Sequence, residues 1–117
     1  MTPARAALAK AKARLDPLGL YPRNVGIEHV AVAAVPWLFR LPWFRRFDAY
    51  ASWNLVLLRS AELVEDGDLI CHELCHVWQM QHHPLRMPLS YLRVGYAANP
   101  YEEEARRAAS ASAALAS

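Results

Sequence analysis

The stretch from Asp66 to Pro84 constrains this chain more than any other. Glu65-Asp66-Gly67-Asp68 is a turn that ends in a helix N-cap residue, and Pro84 stops the run that follows. The spacing between them predicts a helix from Leu69 to His83. With Ile70 at zero and about 100° per residue, Leu74, Val77, Trp78 and Gln81 fall within about 80° and form one stripe. His72 and His76 lie on the other side, at about 200° and about 240°, and Glu73 lies between the two faces. The fold therefore needs a core against one side of this helix, with the histidines on the side away from it.

His72-Glu73-Leu74-Cys75-His76 is the pattern HExxH. Two imidazoles four residues apart share a helix face and can reach one ion, which suits zinc. The glutamate beside the first histidine can reach a zinc-bound water as general base. A catalytic zinc also needs a third protein ligand and an open position. The residue types leave that ligand open. Glu102, Glu103 and Glu104 lie well downstream of His76, on a separate segment. His82 follows His76 by six residues, the spacing of the metzincin string HExxHxxGxxH, but Gln79 stands where that string breaks its helix with glycine. His83 shares the histidine azimuth yet sits roughly 10 Å further along the axis, too far for a metal bond of about 2 Å.

The rest of the chain reads as α+β. Residues 3–15 are strong helix formers, Pro3 suits a first turn, and Asp16-Pro17 and Gly19 end the run. This N-terminal helix, within residues 1–20, is Ala-rich and reads as a weakly packed surface helix. Residues 25–35 are β-branched and short, and 47–52 with 54–59 form a strand pair linked near Ser52-Trp53-Asn54. Leu89 to Tyr96 makes a brief helix. Asn99-Pro100 caps a last helix from Tyr101 to about Leu115, with three glutamates at its favourable end. The tail 108–117 is only Ala, Ser and Leu and is expected to fray. At 117 residues, 1–117 is read as one domain.

Composition excludes several classes. With 55% hydrophobic and 21% charged residues the chain is not disordered. A net charge of +2 argues against nucleic acid as partner. Val30 to Leu41, the most apolar run, is broken by Pro36 and carries Arg40, so it cannot span a bilayer. Residues 1–14 have no apolar region of the secretory kind, and with only Cys71 and Cys75 the expected compartment is the reducing cytoplasm. Cys71-His72-Glu73-Leu74-Cys75-His76 has one residue too many between its cysteines for haem attachment. Cysteines at about 100° and about 140° cannot join the histidines around one ion on a regular helix, so they read as buried, inert thiols. Trp37, Phe39, Trp43, Phe44 and Phe47 interleave with Arg40, Arg45 and Arg46. They read either as core aromatics beneath the sheet or as a membrane-surface or partner patch.

His72 to Gln79, followed by Asn99-Pro100-Tyr101-Glu102-Glu103-Glu104-Ala105, resembles small bacterial zincin-like domains of the gluzincin type. These include metallopeptidase-like domains associated with contractile injection systems, and the chain is similar in scale to minigluzincins. The shared pattern is HExxHxxQ with a downstream E-x-E-A-[DN]-x-x-A, and the resemblance covers about residues 47–109. It implies a zincin-like fold, with a small sheet over the HExxH helix and helices at both ends. It implies zinc ligands His72, His76 and Glu102, with Glu73 as general base. Arg106 stands where many gluzincins have Asp or Asn. The implied activity is peptide hydrolysis. The peptide or protein substrate would lie along an edge strand, Phe47 to Ser52 or Asn54 to Arg59. A tyrosine or histidine would assist the oxyanion, with Tyr91, Tyr96 and Tyr101 as candidates. The alternative is a non-catalytic binding or structural domain that keeps the metal site.

Overall fold

A computed structural model describes residues 2–19, 26–42, 44–83, 87, 89–91 and 99–116. Helix α1 (Pro3–Leu15) is followed by a 3-10 turn (Asp16–Leu18), strand β1 (Ala31–Ala34) and a second 3-10 turn (Leu38–Arg40). Strands β2 (Ala49–Ser52) and β3 (Leu55–Leu58), a third 3-10 turn (Ala61–Glu65), helix α2 (Gly67–His82) and helix α3 (Pro100–Ala116) complete the order. Leu89 to Tyr91 are also helical; the remainder of the helix expected over Leu89 to Tyr96 lies outside the described residues, as do Tyr96 and Trp43. The class is α+β, as expected.

The sheet order is β1-β3-β2. β3 pairs parallel with β1, Ala31 opposite Leu55, and antiparallel with β2, Tyr50 opposite Leu57. Asn54 to Arg59 therefore contains the central strand and has no free edge. Of the two segments expected to offer an edge strand, only Phe47 to Ser52 does so, through β2. The strand expected over 25–35 is shorter, because a turn closed by Val30 N–H on the Ile27 carbonyl occupies its start. Arg5 of α1 holds that turn by donating to the carbonyls of Ile27, at 2.9 Å, and Val30. The two-residue link Trp53-Asn54 closes the hairpin, with Trp53 at φ 45°.

Helix α2 runs through the middle of the molecule. It starts two residues earlier than expected because Asp66, not Asp68, caps it, accepting from Leu69 N–H at 3.1 Å. Its far end is closed by His83 N–H on the Gln79 carbonyl at 2.7 Å. The expected division into a core side and a separate histidine side does not hold. Every residue from Ile70 to Met80 except His72 is buried. The inner face of the sheet (Ala49, Ala51, Val56, Leu58) shares one core with α2, as do Leu8, Ala11 and Leu15 of α1 and Ala105, Ala108 and Ala109 of α3. Gln81, placed in the stripe by its azimuth, is exposed and pairs through its amide with the backbone of Gly26.

The alanines of α1 and α3 explain why α2 is covered on several sides. A small side chain lets one helix approach another closely, so α1 packs firmly where the sequence suggested a weak surface helix. Over the tail from Ala108, helix α3 runs to Ala116, and Ala108, Ala109 and Ser112 are buried. Arg14 of α1 holds it there, bonding Ser112 Oγ at 3.2 Å and the Ala109 carbonyl at 3.1 Å while pairing with Asp68 at 2.8 Å. No helix among the described residues is long and apolar enough to cross a membrane.

Candidate metal centre

Helix periodicity puts His72 and His76 on one side of α2, one turn apart. Helix α3 supplies the third group. Asn99, fully buried, caps α3 by accepting from Tyr101 N–H at 2.8 Å and donates to Ser90 Oγ at 2.9 Å. This ties the start of α3 to the helical piece that carries Tyr91. Glu102, one turn in and 1% exposed, then points at the two histidines.

The ligand atoms converge. His72 Nε2 lies 2.5 Å from Glu102 Oε1, His76 Nε2 lies 2.9 Å from Glu102 Oε2, and the two Nε2 atoms are 3.2 Å apart. Two imidazole lone pairs this close to a carboxylate require positive charge among them, either protons or a metal ion. Two nitrogens bound tetrahedrally to zinc at 2.0–2.1 Å would be separated by about 3.3 Å. The 3.2 Å between the nitrogens fits that requirement, the carboxylate would have to draw back by a few tenths of an ångström, and the set of two histidines and one glutamate can hold a metal ion.

Charge follows the same geometry. Burial alone would raise the Glu102 carboxyl, but hydrogen bonds and charge from His72 and His76 hold it well below the usual carboxylate range. Burial alone would lower His76, but its bond to Glu102 and the charges of Glu73 and Glu102 carry it above the ordinary histidine value. Glu73 is also buried, and burial pushes its carboxyl up while the two histidines pull it down. Tyr91 donates its hydroxyl to Glu102 Oε2 at 3.0 Å, so of the expected tyrosines this one reaches the cluster.

Gln79 has a role that the sequence reading did not assign. Fully buried, it donates from Nε2 to the Tyr101 carbonyl at 2.8 Å and to Glu104 Oε1 at 3.0 Å. Two acceptors fix the amide, so its Oε1 accepts from His76 Nδ1–H at 2.9 Å. The imidazole is thereby held with Nε2 toward Glu102 and His72. The signal was available, since Gln79 stands three residues after His76 and so shares its helix face. Gln79→Ala is expected to weaken zinc binding about 10–100-fold in protein that remains folded, read by competition with a chromophoric chelator.

The other candidates lie elsewhere. Glu103 is exposed and pairs with Arg107, Glu104 braces Gln79, and His82 Nδ1 bonds the Trp78 carbonyl at 2.9 Å. The His83 ring lies against Tyr101. Arg106 is exposed. Cys71 and Cys75 are free, fully buried and outside the cluster; Cys71 Sγ lies 3.9 Å from the Ala11 carbonyl and 4.0 Å from Ser112 Oγ. Burial pushes both thiols up. Neither is expected to react with a thiol reagent until the chain unfolds, which a timed thiol titration with and without denaturant checks. Comparison with protein-family models, with curated proteins and with solved structures finds no match.

Proposed function

We propose that this chain is a zinc-dependent metallopeptidase of zincin-like fold, with His72, His76 and Glu102 as zinc ligands and Glu73 as general base. The reading is carried by the convergence of two imidazoles and one carboxylate on a single point, with Glu73 adjacent to the first histidine. Two nitrogens and one oxygen form the donor set of many hydrolytic zinc sites. Bound there, zinc would supply Lewis acidity and make a water nucleophilic near neutral pH. Glu73 would take the proton from the attacking water and return it to the leaving amine. Tyr91, whose hydroxyl already reaches Glu102, could donate to the developing oxyanion. An extended peptide could add to the edge of β2 that no other described strand pairs with, whose backbone would hold it in register. The two buried free cysteines suit a reducing compartment such as the cytoplasm.

A second reading keeps the metal and drops catalysis. It is favoured by the burial of Glu73, His76 and Glu102, because a catalytic ion needs an open position. The test is hydrolysis of a broad peptide library by zinc-loaded protein, with and without chelator. Chelator-sensitive cleavage supports the peptidase. Tightly bound zinc without cleavage leaves the structural reading.

A further inference from the structure

The face of the sheet turned away from α2 is apolar. Tyr50 is 41% and Leu55 38% exposed, while their strand neighbours Ala49, Ala51 and Val56 are buried. Register sets Tyr50 beside Leu57, Leu57 beside Ala33, and Leu55 beside Ala31, with both alanines exposed. The Phe44 ring meets Tyr50 edge-on at 5.3 Å and extends this surface into the crossover between β1 and β2. In that crossover Phe39 is buried, but Trp37 is 64% exposed and Leu41 37%. The aromatics of this segment therefore do not all lie beneath the sheet.

Charge identifies what the surface fits. From Val30 to Phe47 the only charged residues are Arg40, Arg45 and Arg46, and all three are exposed. The next residue, Asp48, pairs with Arg59 at 3.3 Å. The same segment contains no Ser, Thr, Asn or Gln, so its polar side chains are three guanidiniums, donors alone, which suit an acceptor-rich phosphate surface. Exposed Trp and Leu flanked by Arg suit the boundary between acyl chains and anionic headgroups.

We propose that the crossover between β1 and β2 docks on an anionic lipid surface, with Trp37 and Leu41 entering the headgroup layer and Arg40, Arg45 and Arg46 meeting its phosphates. The proposal is independent of the metal. In vesicle co-sedimentation at about 0.1 M salt, the protein is expected to bind phosphatidylserine-containing vesicles roughly 100-fold more tightly than pure phosphatidylcholine. Most of that difference should vanish at about 1 M salt. Arg45→Glu with Arg46→Glu should abolish the preference and Trp37→Ser should weaken binding, while Lys10→Glu on α1 should leave it intact. Weak, equal binding to both vesicle types overturns the proposal, as does undiminished binding by the double variant. Concentration-dependent dimerisation lost in Trp37→Ser would also overturn it, by making a second copy of the chain the occupant.

Discussion

Glu73→Gln is expected to leave zinc in place and to lower peptide hydrolysis by about 10²–10⁴-fold. Glutamine keeps the shape of a side chain that is 7% exposed, so the buried site should not collapse. It cannot accept and return a proton, and that is the only function asked of Glu73. It is not one of the three grouped ligand atoms, so zinc content should stay near that of the wild type. The loss should fall on kcat, with KM little changed, because proton transfer is made only in the transition state. The wild-type rate profile should carry an acid limb from Glu73, its position set by burial, which raises the carboxyl, against the bound zinc, which would lower it. That limb should be absent from any residual activity of the variant. Unchanged cleavage by Glu73→Gln would remove Glu73 from the mechanism.

What the sequence disclosed and what it concealed divide along a physical line. Caps, breakers and periodicity act within a few residues, and they placed α1, α2, α3 and the β2–β3 hairpin to within a few positions. The i, i+4 histidines are a local feature and were legible for the same reason. The third group depends on how α3 crosses α2, which is set by small residues such as Ala105, Ala108 and Ala109 that carry no azimuthal signature of their own. Spacing alone could not separate Glu102 from Glu103 and Glu104; one turn of helix directs the first at the histidines, the second to solvent and the third to Gln79. The same blindness to packing from outside explains Gln81. A helical wheel assumes one apolar side, whereas α2 is enclosed by the sheet, α1 and α3, and its polar residues divide into the enclosed Gln79 and the exposed Gln81. Which strand lies in the centre is likewise a matter of long-range pairing. Nothing within 54–59 says that β1 will add to its free side.

Glu102→Ala should weaken zinc binding by at least about 100-fold, beyond the usual effect of removing an outer partner such as Gln79. Elemental analysis should find about one zinc per wild-type chain and marked loss in the variant. Equal zinc in both would move the third ligand to another residue. The metal-free proteins should differ in their pH dependence too. The depressed Glu102 carboxyl stabilises the fold above the ordinary carboxylate value near 4.3, and this is lost as pH falls through its lower folded value. The raised His76 stabilises the fold below the ordinary histidine value near 6.5, and this is lost as pH rises through its higher folded value. Both contributions are present together between about pH 4.5 and 6.5, while the raised Glu73 carboxyl costs stability as pH climbs from about 4.3, so metal-free wild type should melt highest toward the acid end of that window. Glu102→Ala removes the first and the Glu102 share of the second, and should flatten that maximum. Zinc must displace the same protons, so the rise in melting temperature on adding it to wild type should grow from mildly acidic to mildly alkaline pH. A zinc effect independent of pH would mean that the ion binds away from His72, His76 and Glu102.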